Sequence, residues 1–165
     1  MTNVTVLTGD LFESKARTLT NAVNTVGVMG KGIALGFKNR FPEMFDDYVR
    51  RCESGDVHLG QPYLYQGPNP PWVLNFPTKG HWRTPSRLDD ISNGLDHLVG
   101  HCRSWEIESI AVPALGCGAG GLDWLVVGPL LLQRLSVLEI PVELYAPSES
   151  AATRLMALGS GIGVD

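Results

Sequence analysis

Residues 109–124, SIAVPALGCGAGGLDW, give the clearest indication of the fold class. Its first six residues, Ser109 to Ala114, form a short apolar run that predicts a buried strand. A glycine-rich loop follows at 116–121, and the apolar periodicity from about Asp123 to Val137 predicts a helix. A strand, a glycine loop and a helix in this order indicate an α/β fold.

A second unit with the same order lies nearer the amino terminus. Leu19 to Val23 predicts a strand, a glycine-rich loop covers 27–32, and Ile33 to Arg40 predicts a helix. The remaining predicted elements are strands at 4–7, 62–66, 72–76 and 142–145 and helices at 42–54, 88–102 and 148–158. This alternation predicts one three-layer α/β domain over residues 1–158, with 159–165 as a flexible C-terminal tail.

The amino-acid composition limits the classes of protein to which the chain can belong. The chain has 165 residues, of which 44% are hydrophobic and 18% charged, as in a single globular domain. No apolar run approaches the ~20 residues that cross a bilayer, and the amino terminus lacks a signal-peptide pattern. Cys52, Cys102 and Cys117 are widely spaced, which disfavours a disulfide framework or zinc site. These features predict a cytoplasmic protein that interacts with no membrane.

The charge is unevenly distributed along the chain. The formal net charge is −4, but no acid lies between Glu13 and Glu43 or between Asp56 and Asp89. These two windows carry +8 together and contain Lys31 in the first and Lys79 to Arg83 in the second. A locally positive surface of this kind suits an anionic ligand, whereas the alternative is a solvated surface with scattered cations.

The glycines point to the class of ligand. Eight of the 19 glycines lie at 27, 30, 32 and 36 and at 116, 118, 120 and 121. Backbone N–H groups in such loops bind phosphate oxygens, so two loops suit a diphosphate; the alternative is tight turns that need positive φ. Neither loop has the Walker pattern or the dinucleotide-binding fingerprint.

Several motifs together resemble those of the macrodomain family, whose members are ADP-ribose-binding modules. The motifs are Gly9-Asp10-Leu11-Phe12, Asn21-Ala22-Val23-Asn24, Gly30-Lys31-Gly32-Ile33-Ala34 and Pro113-Ala114-Leu115-Gly116-Cys117-Gly118. The resemblance covers nearly all of residues 3–146 and implies an α/β/α fold with a central mixed, mostly parallel sheet. Residues 75–79 and 121–124 resemble the motifs of one branch of the family. That branch holds the terminal ADP-ribose protein glycohydrolase and the bacterial DNA ADP-ribosyl glycohydrolase antitoxins.

The resemblance also implies roles for individual residues. Asp10 would accept a hydrogen bond from the adenine amino group, and Leu11 would lie against the ring. The full set of implied ADP-ribose-binding residues is Asp10, Leu11, Asn21, Asn24, Gly30, Lys31, Gly32, Ile33, Gly116, Cys117, Gly118, Ala119, Gly120 and Gly121. Lys79 would be the catalytic lysine, Asp123 its acidic partner, and Asn21 a catalytic residue near the distal ribose. No metal or cofactor is implied.

The implied chemistry is substitution at the anomeric carbon of ADP-ribose. A neutral lysine amine can attack this carbon, and a carboxylate can steer a proton or water. Thr78, His81, Trp82 and Arg83 place an aromatic ring and a cation beside Lys79, which suits an unpaired base and its phosphates. The alternative from the residues alone is an exposed loop lysine and a tryptophan packed on the domain.

The preferred hypothesis is a hydrolase that removes ADP-ribose from a base, thymidine by preference, in single-stranded DNA. It would reverse a DNA ADP-ribosyltransferase toxin and act as a monomer. Three alternatives stay open: release of ADP-ribose from glutamate or aspartate esters of proteins, a non-catalytic ADP-ribose reader, and an ADP-ribose-1″-phosphate phosphatase. His97 and His101 lack further ligands near them in sequence, so they predict a surface pair and no metal site.

Overall fold

A computed structural model describes residues 3–162 of the chain. The strands are β1 (Val4–Leu7), β2 (Thr18–Asn24), β3 (Tyr63–Tyr65), β4 (Trp72–Lys79), β5 (Ile110–Val112) and β6 (Val142–Tyr145). The helices are α1 (Gly32–Arg40), α2 (Pro42–Glu53), α3 (Leu88–His101), α4 (Trp124–Leu135) and α5 (Glu149–Ile162). A single 3-10 turn, Leu11–Glu13, follows β1.

The strands form one mixed sheet in the order β1-β6-β5-β2-β4-β3. Every neighbouring pair is parallel except β3 and β4, which are antiparallel. One face of the sheet is covered by α1 and α2, whose Phe37 and Tyr48 are fully buried in the first core. The other face is covered by α3, α4 and α5, which contribute Leu95, Leu131 and Leu155 to the second core. The predicted three-layer α/β/α fold with a mostly parallel sheet is confirmed.

Two predicted boundaries differ from the structure by three residues or more. The sequence predicted that β4 ends at Phe76, but the strand continues through Pro77 to Lys79. Proline is tolerated there because β3 pairs only with residues 73–75 of β4, so the ring of Pro77 meets no strand on that side. Helix α5 continues to Ile162 and so includes part of the predicted tail. Residues 163–165, the rest of that tail, lie outside the described residues.

The parallel topology brings the sequence motifs to one edge of the sheet. β1, β2, β4, β5 and β6 all run in the same direction, so the loops that follow them share the carboxyl edge. Ligands of open α/β sheets bind at this edge. Within residues 3–162, no helix is long and apolar enough to cross a membrane.

Candidate active site

A cavity of about 380 Å³ opens at the carboxyl edge between the loops that follow β1, β5 and β6. Its lining residues are Gly9, Asp10, Leu11, Phe12, Ile33, Pro113, Ala114, Tyr145, Ala146 and Pro147. Asp10 is exposed, and its Oδ1 accepts a hydrogen bond from the Phe12 N–H at 2.9 Å, which caps the 3-10 turn. The second carboxylate oxygen of Asp10 therefore remains available to a ligand in this cavity.

Phe12 is held against α1 on one side of the cavity. Its ring packs on Phe37 with centroids 4.7 Å apart, and the Arg40 guanidinium lies 3.9 Å from its centroid. A Cβ at Gly36 would lie 2.8 Å from the Phe12 ring, so only glycine lets the ring approach the helix this closely. Phe12, Tyr145 and Pro147 were not identified as site residues from the sequence; the available signal was that Phe12 and Pro147 follow strands β1 and β6 and that Tyr145 is the last residue of β6.

Loop 1, defined as residues 25–31, ends at the amino terminus of α1. The helix has Lys31 at its N-cap position, and that side chain makes no capping hydrogen bond. Within the described part of the chain, no acceptor is found for the N–H groups of Gly32, Ile33 and Ala34. Uncapped N–H groups at a helix terminus, with an exposed lysine beside them, suit a phosphate.

Asn24 fixes the conformation of loop 1 from inside the protein. Its Oδ1 accepts from the Val26 N–H at 3.0 Å, and its Nδ2 donates to the Val28 carbonyl at 2.8 Å. The Tyr48 hydroxyl lies 2.7 Å from the same Oδ1. With 5% of its surface exposed, Asn24 supports the loop in this structure instead of facing a ligand.

Asn21 lies deeper in β2 and has no exposed surface. Its Nδ2 donates to Asn75 Oδ1 at 3.2 Å and lies 3.8 Å from the Met29 sulfur in loop 1. A side chain closed off in this way cannot contact a ribose without rearrangement, so the geometry does not support a catalytic role for Asn21. Its contact with Met29 gives it a positioning role for loop 1.

Loop 2, defined as residues 113–122, carries the second group of free amides. Among residues 3–162, the N–H groups of Gly118, Ala119 and Gly120 have no acceptor. Gly116 has a positive φ of 77°, which suits glycine. A Cβ at Gly120 would overlap the Ser86 side chain and lie 2.6 Å from the Gly116 carbonyl oxygen. The close contact with Ser86 and with the Gly116 carbonyl therefore requires glycine at position 120.

Lys79 is the last residue of β4, and the segment that follows it, residues 80–87, is called the lysine loop here. Thr25 of loop 1 donates to the Gly80 carbonyl at 2.8 Å, and the Ser86 N–H donates to the Gly120 carbonyl of loop 2 at 2.9 Å. Lys79 is half-buried, and its Nζ donates to the Trp82 carbonyl at 3.0 Å. The loop that begins directly after Lys79 is thus hydrogen-bonded to both candidate phosphate loops.

Three consecutive side chains of the lysine loop, those of residues 81–83, pack around the Trp82 ring. The ring of Trp82 is 41% exposed, and it has His81 at a centroid distance of 4.8 Å and the Arg83 guanidinium at 4.4 Å. Thr78, by contrast, is buried, with its Oγ1 3.4 Å from the Val23 carbonyl. Thr78 is therefore corrected from a nucleic-acid contact to a residue of the interior, because β4 extends past it.

Not every cation of the acid-free windows contributes to the site. Lys31, Lys79 and Arg83 lie at the carboxyl edge. Arg17 precedes β2 at the opposite edge and forms an exposed ion pair with Glu108. Lys38 lies 4.6 Å from the Phe45 ring centroid on the outside of α1. Arg17 and Lys38 therefore do not contribute to a positive surface around the loops, whereas Lys31, Lys79 and Arg83 do.

Asp123 is the N-cap of α4. Its Oδ1 accepts from the Leu125 N–H at 3.0 Å, and within the described residues no ion pair joins it to Lys79. Burial, together with the nearby Asp123 carboxylate, raises the pKa of Cys117 to about 11, so this thiol is a poor nucleophile near neutral pH. The structure therefore shows a helix-capping role for Asp123.

Substitution of Asp123 separates capping from catalysis. Asparagine is as good an N-cap as aspartate, so we expect Asp123→Asn to keep its stability, while Asp123→Ala loses about 1 kcal/mol in urea unfolding. If the carboxylate only caps α4, both variants should release ADP-ribose at nearly the parent rate. A large loss of rate in Asp123→Asn without loss of stability would instead establish a catalytic carboxylate.

The histidines of α3 make no metal site in this structure. His97 and His101 stack with centroids 4.1 Å apart, and His101 stacks in turn on Trp105 at 5.0 Å. Among residues 3–162, no group of three or more His, Cys, Asp or Glu side chains is placed to hold a metal ion. The pair forms a surface stack with an aromatic neighbour.

Comparison with known proteins places this geometry in a family. The Macro domain model matches residues 20–130. A DNA ADP-ribosyl glycohydrolase of Thermus aquaticus is 45% identical over 146 residues, which cover 86% of this chain and 41% of the relative. A DNA ADP-ribosyl transferase–DNA ADP-ribosyl glycohydrolase fusion protein of Thermosipho africanus is 41% identical over 165 residues, covering 89% of this chain and 42% of the relative.

Solved structures agree with the sequence matches. The macrodomain of Mycobacterium tuberculosis DarG superposes with a TM-score of 0.83 at 44% identity, covering 88% of this chain and 98% of that one. Thermosipho africanus DarTG, solved in complex with ADP-ribose, superposes with a TM-score of 0.86 at 43% identity. The match covers 89% of this chain and 42% of that one. The chain spans about two fifths of the length of the curated relatives it matches. On the match to the Macro domain model and on these relatives, the chain belongs to the macrodomain family.

Proposed function

We propose that this macrodomain is a DNA ADP-ribosyl glycohydrolase that removes ADP-ribose from a base, thymidine by preference, in single-stranded DNA. The observation that carries the proposal is the position of Lys79, which is tied by its loop to both free-amide loops. The names of the Thermus and Thermosipho relatives support the same activity. The transferase in the name of the Thermosipho fusion also supports a DNA ADP-ribosyltransferase as the source of the substrate.

ADP-ribose would bind along the carboxyl edge of the sheet. The adenine would occupy the 380 Å³ cavity and donate its amino hydrogen to Asp10. The diphosphate would accept hydrogen bonds from the free N–H groups of α1 and loop 2, with Lys31 at its side. The distal ribose would then lie toward the lysine loop, because that loop joins loop 1 to loop 2.

The reaction would proceed by attack of the neutral Lys79 amine on the anomeric carbon. The C–N bond to Nζ forms as the bond to the base nitrogen breaks; the base keeps the electron pair and takes up a proton. Water then displaces Nζ from the carbon, which releases ADP-ribose and regenerates the lysine. Free N–H groups around the diphosphate hold the sugar in place for both steps.

The test compares two classes of substrate. The protein is incubated with an ADP-ribosylated single-stranded oligonucleotide and, separately, with a protein ADP-ribosylated on glutamate, and ADP-ribose release is followed by chromatography. We expect faster release from the oligonucleotide. Faster release from the protein would identify an ester hydrolase, and no release from either substrate with retained ADP-ribose binding would identify a reader.

Trp82 is proposed to stack on a base of the DNA strand. Stacking of one base on an aromatic side chain contributes about 1–3 kcal/mol, so we expect Trp82→Ala to raise KM for the oligonucleotide about tenfold or more. kcat should change little, since the backbone carbonyl that contacts Lys79 is retained. Trp82→Phe should restore most of the affinity. An unchanged KM in Trp82→Ala would rule out stacking at this residue.

A further inference from the structure

His81 does not present its ring nitrogen Nδ1 to the solvent. The Arg83 N–H donates a hydrogen bond to this nitrogen at 3.0 Å. A backbone N–H can only donate, so Nδ1 carries no proton in this arrangement and the ring is the Nε2–H tautomer. The half-buried ring thus closes a local turn, as an asparagine side chain does when it accepts from the N–H two residues later.

Thr84 closes the same turn from the other side. Its hydroxyl donates to the His81 carbonyl at 2.9 Å and accepts from the His81 N–H at 3.2 Å, and its own N–H donates to that carbonyl at 3.1 Å. Hydrogen bonds at both ends therefore fix the backbone between His81 and Arg83. The carbonyl of this fixed peptide unit, that of Trp82, is the acceptor for Lys79 Nζ.

A fixed acceptor matters for a lysine because its side chain is long and flexible. The amine has three donors on a four-carbon stem, and an unheld amine samples many directions. One hydrogen bond from Nζ to a rigid carbonyl limits these directions. Misplacement of a reacting group by about 1 Å can cost roughly a hundredfold in rate.

From this geometry we infer that His81 is a positioning residue for Lys79: its Nδ1 fixes the turn whose Trp82 carbonyl aims the lysine amine. The inference rests on the proposed function and changes the role first assigned to His81, which was contact with nucleic acid. It divides the lysine loop into two parts. The Trp82 ring and Arg83 face the substrate, whereas His81 and Thr84 set the backbone.

Two variants of His81 and one control variant at His58 test the inference on the full chain. His81→Leu removes the acceptor at similar size, His81→Asn keeps an acceptor for the Arg83 N–H, and His58→Leu is the matched control at an exposed histidine far from the site in sequence. With the ADP-ribosylated oligonucleotide, we expect kcat of His81→Leu to fall about ten- to a hundredfold at unchanged KM. His81→Asn should retain most of the parent kcat, and His58→Leu all of it.

Amide hydrogen exchange of Arg83, followed by NMR, checks the hydrogen bond without reference to activity. We expect protection in the parent and in His81→Asn and fast exchange in His81→Leu. Thr84→Val removes the hydroxyl that holds the other side of the turn, so it should also lower kcat. Thr84→Ser keeps the hydroxyl and should have a kcat close to that of the parent.

The outcomes separate two kinds of failure. If Arg83 becomes unprotected in His81→Leu while kcat is unchanged, the positioning role is wrong and the proposed hydrolase stands. If both His81→Leu and His81→Asn raise KM equally, the His81 ring acts on DNA binding, by direct contact or through the neighbouring Trp82 ring, and the inference is likewise overturned. If the parent protein itself releases no ADP-ribose from DNA, the proposed function fails, and the positioning role fails with it.

Discussion

Replacement of Lys79 by alanine is expected to abolish ADP-ribose release while leaving ADP-ribose binding intact. Loss of a covalent nucleophile costs roughly a thousandfold or more in kcat. The side chain makes one hydrogen bond, to the Trp82 carbonyl, so the free energy of unfolding should change by only about 1 kcal/mol. Single-turnover kinetics with the ADP-ribosylated oligonucleotide and calorimetric titration with ADP-ribose measure the two effects separately.

Two further lysine variants sharpen this experiment. Lys79→Arg places a permanent positive charge at this position but cannot attack, because a guanidinium does not lose its proton in proteins. It should therefore be as inactive as Lys79→Ala. Lys15→Ala is the control at an exposed lysine that does not line the cavity, and it should behave like the parent. Retention of activity in Lys79→Arg would show that the residue acts through its charge, and full activity in Lys79→Ala would exclude any lysine mechanism.

The second large effect is expected from a side chain at Gly120. Valine there would bring Cβ within 2.6 Å of the Gly116 carbonyl oxygen and against Ser86, so loop 2 must move. Strain of about 1–3 kcal/mol would lower the affinity for ADP-ribose by roughly 10- to 100-fold. Isothermal titration with ADP-ribose measures this loss, and a thermal melt shows whether the domain remains folded.

The control for Gly120→Val is a glycine with room for a side chain. A Cβ at Gly100 in α3 would have no neighbour within 4 Å, so Gly100→Ala should retain both affinity and melting temperature. The double variant Gly120→Ala/Ser86→Ala removes one of the two obstacles and should bind better than Gly120→Ala alone. Parent-like affinity in a folded Gly120→Val protein would mean that loop 2 does not hold the diphosphate.

Much of the architecture could be predicted from local patterns. Strand β6 was predicted at its observed bounds, and Ser148 does cap α5, with its Oγ accepting from the Ala151 N–H. These signals are short-range: alternation, 3–4 periodicity, glycine position and capping each involve residues within a few positions of one another. The strand–glycine loop–helix order is of this kind, and it located both candidate phosphate loops.

Individual side chains were predicted less well, because their environment depends on distant parts of the chain. Asn21 was expected beside a ribose but is enclosed by Asn75 and Met29. Thr78 was expected at the surface but is buried, since β4 continues past Phe76. Asp123 was expected as the partner of Lys79 but caps α4. In each case the motif lies where it was predicted, but the motif did not predict the direction of the side chain.

Local sequence patterns therefore predicted the α/β alternation, the two glycine loops and a lysine near the end of an apolar strand. They did not predict which distant groups meet in the folded chain: Thr25 with Gly80, Ser86 with Gly120, and Lys79 with the Trp82 carbonyl. Local patterns follow the backbone period of one element. The position of the lysine amine depends on strand register and on loop hydrogen bonds between segments distant in sequence, which no local pattern encodes.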